Sequence, residues 1–252
     1  MEIKFINTLF ENNKNEINCI FNENEIVGVI NTNLYSLLEG KILSGKIKYK
    51  KYVFDKNLPI KKHSEIYYFC RNNIDELYSL NMMDYITSMI HNVDGNRLYE
   101  LFKIFGLKKQ LLELPYIKIS TSERKKIILI GALMTEKNII VLENPTSYLD
   151  DKSKETLIKE LKRLKRNKII IVNTDDTEFL LKVAEKVILN VDNKIVIGSK
   201  YDILSDEKLL NKAHLMQSEL LMFINKVRKS KSIKIPYRDN INDTIKDVYR
   251  HV

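Results

Sequence analysis

Two stretches of this chain carry residue types that act on phosphates at suitable spacing. Gly40-Lys41-Ile42-Leu43-Ser44-Gly45-Lys46 fits G-x-x-x-x-G-K, in which backbone N–H groups and a lysine cradle phosphates. Ser120 and Glu123 have the S-x-x-E spacing of a capping box, which opens a helix and presents its positive N-terminus. The first stretch fails on context. A working phosphate loop follows a strand, opens a helix and carries Ser or Thr after the lysine. Here a helical stretch at 34–39 precedes it, Ile47 follows the lysine, and a strand-like run comes next. The match is read as chance, with Lys46 at a strand entrance.

The elements that must position these groups follow from periodicity and turn chemistry. Short β-like runs at 3–10, 17–21 and 26–30 are separated by Asn- and Glu-rich turns. Residues 46–54 alternate basic with apolar or aromatic side chains, as one strand with an exposed face does, and 66–69 is a further apolar run. From 82 to 114 the spacing of Tyr85, Met89, Leu98, Leu101, Phe102 and Phe105 predicts helix, closed by Pro115.

The second half alternates helix and strand: helix 122–135, strand 138–142, helix 151–165, strand 168–172, helix 177–185 and strand 187–189. A hairpin across Asp192-Asn193 then leads into 195–197. Strands joined by helices of this length imply a parallel sheet with crossover helices. Beyond Gly198 the chain reads as helical and charged, with a break at 233–239 around Pro236.

Composition bounds the function. With 252 residues, 44% hydrophobic and 30% charged, the chain suits one large domain or two small ones. The apolar runs 127–134 and 169–172 fall far short of a bilayer span. The N-terminal sixteen residues show no basic-then-apolar leader, so a cytosolic setting is expected. Cys19 and Cys70 have neither a disulfide framework nor metal-ligand spacing, and His63, His91, His214 and His251 are scattered. No metal site is expected.

The seven glycines compare with a usual frequency of roughly 7% and never cluster in threes, which weighs against any glycine-rich loop. A net charge of +9 invites a nucleic-acid reading. The basic residues thicken only at 46–62, 162–168 and 226–234, and no nucleic-acid signature accompanies them. An anionic membrane face or an acidic partner suits them better, and no nucleic acid is expected as a partner.

Residues 119–150, ISTSERKKIILIGALMTEKNIIVLENPTSYLD, resemble the signature-to-Walker-B segment of ATP-binding-cassette (ABC) ATPases. There an LSGG motif and a helix ending in small residues lead to an apolar strand and DEPT-x-x-LD. Gly131-Ala132-Leu133, the run IIVL, Pro145-Thr146-Ser147 and Leu149-Asp150 agree in order and spacing. Residues 172–176 stand where the family's switch motif, usually ending T-H-D, would be, and 195–199 resembles its G-K-I-x-x-x-G strand and turn. The tail 201–229 is similar to the C-terminal helices of the ATPases of energy-coupling-factor (ECF) importers.

The resemblance implies an α/β fold of the ABC-type P-loop NTPase kind. Its parts would be a RecA-like mixed sheet core, an antiparallel β subdomain, an inserted helical subdomain at about 78–118, and a helical extension. The implied domains are 1–200 and 201–252.

It also assigns site positions, and several are degenerate. After the strand 26–30 comes Asn31-Thr32-Asn33-Leu34, with no glycine, no lysine and no Ser or Thr placed for magnesium. The Walker-B aspartate is matched by Glu143, the water-activating carboxylate by Asn144, and the switch histidine by Asp175; an amide is no useful base. The signature motif is matched by Ser120, Thr121, Ser122 and Glu123, with Thr121 and Ser122 replacing glycines. Phe10 approximates the adenine-stacking aromatic but reads more readily as a core side chain, Cys70 approximates the Q-loop glutamine, and Ser147, Leu149 and Asp150 the D-loop. Asp151 and Lys152 read as a helix start with a capping acid.

The resemblance thus leads to a degenerate transporter subunit, inactive alone. It would pair as a heterodimer with a competent ABC ATPase and a transmembrane subunit on the cytoplasmic face of the membrane. ATP and magnesium are expected only at a composite site with the partner. An active ATPase with a divergent loop and a freestanding regulator that kept the fold are the alternatives.

Overall fold

The computed structural model describes residues 1–11, 14–31, 42–57, 66–69, 81–90 and 92–251. Two sheets form. The first is antiparallel, in the order β2-β1-β4-β5, from β1 (Glu2–Phe10), β2 (Ile17–Asn22), β4 (Ile42–Tyr49) and β5 (Tyr52–Phe54). The second has the order β10-β9-β3-β8-β7-β6, from β3 (Glu25–Ile30), β6 (Ile66–Phe69), β7 (Ile139–Glu143), β8 (Ile169–Asn173), β9 (Lys186–Val191) and β10 (Lys194–Ser199). Within it β6, β7, β8, β3 and β9 run parallel, and β10 turns back antiparallel. Asp192 and Asn193 both adopt positive φ, 51° and 63°, as a two-residue hairpin of the right twist requires.

The central strands are apolar on both faces, and their alternation divides the core in two. Val27, Val29, Ile139, Val141, Ile169 and Ile171 pack under the antiparallel sheet with Ile3, Phe5, Phe21 and Tyr49. The intervening Ile26, Ile30, Ile140, Leu142, Ile170 and Val172 face the helices. A strand of period two buried on both sides must make such a three-layer stack.

The helices are α1 (Met82–Met89), α2 (Gly95–Ile104), α3 (Thr121–Met134), α4 (Asp151–Leu164) and α5 (Thr177–Val183). Four more follow β10: α6 (Lys200–Leu204), α7 (Glu207–Lys212), α8 (Glu219–Lys231) and α9 (Ile241–His251). Each of α1 to α8 opens on an Asn, Asp or Ser whose side chain accepts an N–H of its first turn. The 233–239 break between α8 and α9 is present, held by Arg228, whose guanidinium donates to the carbonyl of Ile235 and lies over the Tyr237 ring at 3.8 Å.

Three expectations need correction. The single strand at 46–54 is a hairpin, because Lys50 turns at φ 53° and lets β5 fold back on β4. The helical block at 82–114 is broken at Ile90, which is extended, and at Asp94, which caps α2; beyond α2 only short 3-10 turns at Lys109–Glu113 and Tyr116–Lys118 follow. The acid that caps α4 is Asp150 rather than Asp151. The helix expected at 34–39 lies outside the described residues.

Candidate functional site

Parallel order brings the C-terminal ends of β3, β8 and β7 to one edge of the sheet. In register, Glu143 stands opposite Asn173, and Asn173 opposite Val29. This is the edge at which open α/β sheets place their ligands. Asn31, Glu143, Asn144 and Asp175, far apart in sequence, therefore share it. Thr32, Asn33 and Cys70, expected at the same edge, lie outside the described residues.

Backbone bonds lock the edge. The N–H of Asn144 donates to the carbonyl of Asn173 at 2.7 Å, and that of Thr174 to the carbonyl of Val29 at 3.1 Å. Asn144 has φ 43°, a left-handed geometry that Asn tolerates better than most residues, and its turn closes through Ser147 N–H to its carbonyl at 3.2 Å. Thr146 donates its hydroxyl to Asp176 at 3.1 Å, which ties the segment after β7 to the segment after β8. Asp176 also caps α5 by accepting from Phe179 N–H at 2.9 Å, and Lys154 approaches it at 3.6 Å. Asp175 is exposed at the rim.

One contact had no signal in the sequence. Lys125, in the first half of α3, donates its Nζ to the carbonyl of Asn144 at 2.9 Å. Burial pushes its ammonium down to about 8, and the Glu143 carboxylate opposes that shift. A cation of this protein thus stands at the end of β7 next to the Glu143 carboxylate.

The capping box at Ser120 is formed. Its hydroxyl oxygen accepts from Glu123 N–H at 3.3 Å, and the Glu123 carboxylate accepts from Ser120 N–H at 3.3 Å. Ser120 and Thr121 are exposed, and Arg124 donates to the Thr121 hydroxyl at 3.3 Å while stacking over Tyr116. The mouth of α3 therefore offers hydroxyls together with an acid.

In the segment after β7, Ser147 is exposed and Leu149 is buried. Asp150 accepts from Ser153 N–H at 2.8 Å and from Lys126 at 2.9 Å. Lys126 above all, with the Ser153 N–H, holds the Asp150 carboxyl well below the usual carboxylate range.

Two bonds join this edge to the helices after β10. Asn31 donates its side-chain amide to the carbonyl of Ala213 at 2.7 Å, and Thr177 donates its hydroxyl to the carbonyl of Met216 at 2.8 Å. Neither partner could be found from local pattern.

Phe10 takes the core place that is the better of its two readings. It is fully buried, beside Phe5 with ring centres 6.4 Å apart, so it has no open face for a purine. Lys46 lies inside β4 opposite Ile6, in the other sheet from the site edge, so the G-x-x-x-x-G-K residues from Ile42 onward are strand.

A magnesium nucleotide held by this chain alone does not fit the described residues. The Phe10 ring is closed off, Asn31 is engaged with Ala213, and the Lys125 ammonium is bound to the Asn144 carbonyl next to Glu143. Asp175, exposed at the rim, adds a negative charge that opposes a triphosphate.

No protein-family model matches the chain. A protein of Caldanaerobacter subterraneus carrying the name ABC transporter ATP-binding protein is 36% identical over 120 residues, 46% of this chain and 49% of that one. The energy-coupling factor transporter ATP-binding protein EcfA2 of Mycoplasma capricolum is 30% identical over 139 residues, 54% of this chain and 48% of its own length. The chain spans about half the length of the curated relatives it matches.

Among solved structures, a dimeric bacterial ABC transporter cassette superposes with TM-score 0.62 at 16% identity, over 79% of this chain and 98% of the cassette. The ATP-binding subunit of an ABC transporter gives 0.64 at 13% identity, over 84% and 97%. Among the described residues no helix is long and apolar enough to cross a membrane. The chain has the fold of an ABC ATPase cassette, and in sequence it is similar to ABC transporter ATP-binding proteins, those of energy-coupling factor transporters among them.

Proposed function

We propose that the chain is a degenerate ATP-binding-cassette subunit of an ECF-like importer, which cannot hydrolyse ATP by itself and pairs with a competent ATPase. The observation that carries this reading is the pair Asn144 and Asp175 at the edge of β7 and β8. Hydrolysis there calls for a carboxylate to polarise water and a donor toward the γ-phosphate; the chain supplies an amide and an anion. The Lys125 contact supports it, since it sets an ammonium of this chain at the end of β7 next to Glu143.

On this reading residues 1–200 form the cassette domain, with a helical subdomain at about 78–118, and 201–252 the extension. The subunit sits on the cytoplasmic face against a transmembrane partner. In an asymmetric heterodimer, ATP and magnesium bind one composite site that uses the partner's phosphate loop. This chain then adds only Ser120, Thr121, Ser122 and the N-terminus of α3. No specific observation favours an active ATPase, and a freestanding regulator is separated from this reading by its partners.

The test is affinity purification from the native host with identification of the co-eluting chains. A related ATPase and a membrane protein are expected. Isolated, the chain should bind MgATP no better than about millimolar, because it lacks the phosphate cradle. Asn144→Glu should not restore turnover. In the complex, Ser120→Arg should abolish ATP turnover and leave assembly intact. Low-micromolar binding by the chain alone, or purification free of any cassette partner, would refute the reading.

A further inference from the structure

The outer face of the antiparallel sheet sets two lysines directly against each other. Lys4 of β1 is in register with Lys48 of β4. Like charges directly opposite in an antiparallel pair cost stability, and the ion pair of Lys4 with Glu2 at 2.7 Å offsets part of that cost. The row continues across all four strands as Ile20, Lys4, Lys48 and Val53. Its outer members are aliphatic and exposed, Ile20 by 40% and Val53 by 45%. Lys46 stands two residues from Lys48 on the same face, also exposed.

The composition of this hairpin is one-sided. Residues 42–57 hold Lys46, Lys48, Lys50, Lys51 and Lys56 against a single acid, Asp55. A concavity of about 580 Å³ opens beside the middle of the row, with Lys4, Lys48 and Lys50 on its walls together with Glu2 and Glu23. The bulge at Asn7 and Gly45, both at positive φ, keeps Ile47 and Tyr49 inward and so turns Lys46 and Lys48 out.

A solvated face would gain by alternating its charges; this one concentrates cations and flanks them with branched aliphatic side chains. That arrangement fits a lipid interface, where ammonium groups meet phosphates and the aliphatic side chains enter the acyl boundary. Sequence-tolerant nucleic-acid faces use aromatic stacking instead, and the row offers none. We propose that the outer face of the antiparallel sheet binds an anionic phospholipid surface. The inference stands apart from the pairing with an ATPase and concerns the isolated chain.

Sedimentation of the full chain with vesicles tests it. Binding is expected to phosphatidylcholine vesicles that contain phosphatidylglycerol, not to phosphatidylcholine alone, and should weaken as salt rises. Lys4→Gln and Lys48→Gln should each lower the partition coefficient about fivefold, and Ile20→Ser with Val53→Ser should lower it again. Lys226→Gln with Lys229→Gln, in the other basic stretch, should leave it unchanged. Lys48→Glu, which sets opposite charges in register, should lose vesicle binding while melting no earlier than the parent. Binding to neutral vesicles, or binding indifferent to Lys4 and Lys48, would overturn the proposal. So would retention of a duplex oligonucleotide, lost in the same variants, by a chain that ignores the vesicles.

Discussion

The Nζ of Lys125 lies 2.9 Å from the backbone carbonyl of Asn144, which draws an ammonium from the first half of α3 to the end of β7 beside Glu143. The contact joins residues 19 apart, so helix α3 and the site edge move as one piece. It has a measurable consequence. The folded-state pKa of Lys125 is about 8, below the ordinary lysine value of about 10.4. Between those limits the unfolded chain binds more protons than the folded one, so stability should rise with pH across about pH 8 to 10. Lys125→Met should lose that part of the slope, read as the difference between parent and variant in urea melts. Equal slopes would place the ammonium in water.

Gly45 and Gly106 separate space from backbone strain. Both have positive φ, 77° and 70°. A Cβ on Gly45 would lie 2.0 Å from the carbonyl oxygen of Asn7, whereas one on Gly106 meets nothing within 4 Å. Gly106→Ala should cost only the left-handed penalty of about 1–2 kcal/mol. Gly45→Ala adds a backbone collision across β1 and β4 and should cost about 4 kcal/mol or more. Denaturant midpoints of the two variants measure the difference.

Asp150 combines a helix cap with an ion pair, and the two can be told apart. Asp150→Ala should lower stability by about 1 kcal/mol through loss of the Ser153 N–H acceptor at the start of α4. Asp150→Asn keeps an acceptor and removes the attraction to Lys126, which is small at so exposed a site. The folded carboxyl titrates below its unfolded value of about 3.9, so its contribution is full above that pH and fades as pH falls toward the folded pKa. Acid titration of the two variants against the parent should show that fading only in the parent.

Thr177 tests how the helices after β10 hold the site edge. Its hydroxyl donates to the Met216 carbonyl, and Thr177→Val leaves that carbonyl without this donor. A loss of about 1 kcal/mol is expected, with faster amide exchange in residues 213–217 and none in α4. Exchange unchanged around Met216 would mean that the segment is held by other contacts, such as Asn31 to Ala213.

The chain sequence alone determined what depends on neighbours within a few residues. The cap at Ser120, the turn at Asp192-Asn193, and the alternation of strand and helix from α3 to β10 are local, because a cap bond spans three residues and a side-chain period two or four. The residue types at Asn31, Asn144 and Asp175, on which the proposed loss of phosphate handling rests, were legible for the same reason: each is a matter of identity at a position.

Tertiary structure decided the rest. Phe10 reads alike as a stacking platform or a core residue until β1 packs its inner face on the parallel sheet, which closes the ring off completely. Asn31 and Ala213 meet across 182 residues, and Lys4 faces Lys48 only once β1 is inserted between β2 and β4. Strand order is a property of the whole core, set by which apolar faces bury each other. No window of the sequence contains it.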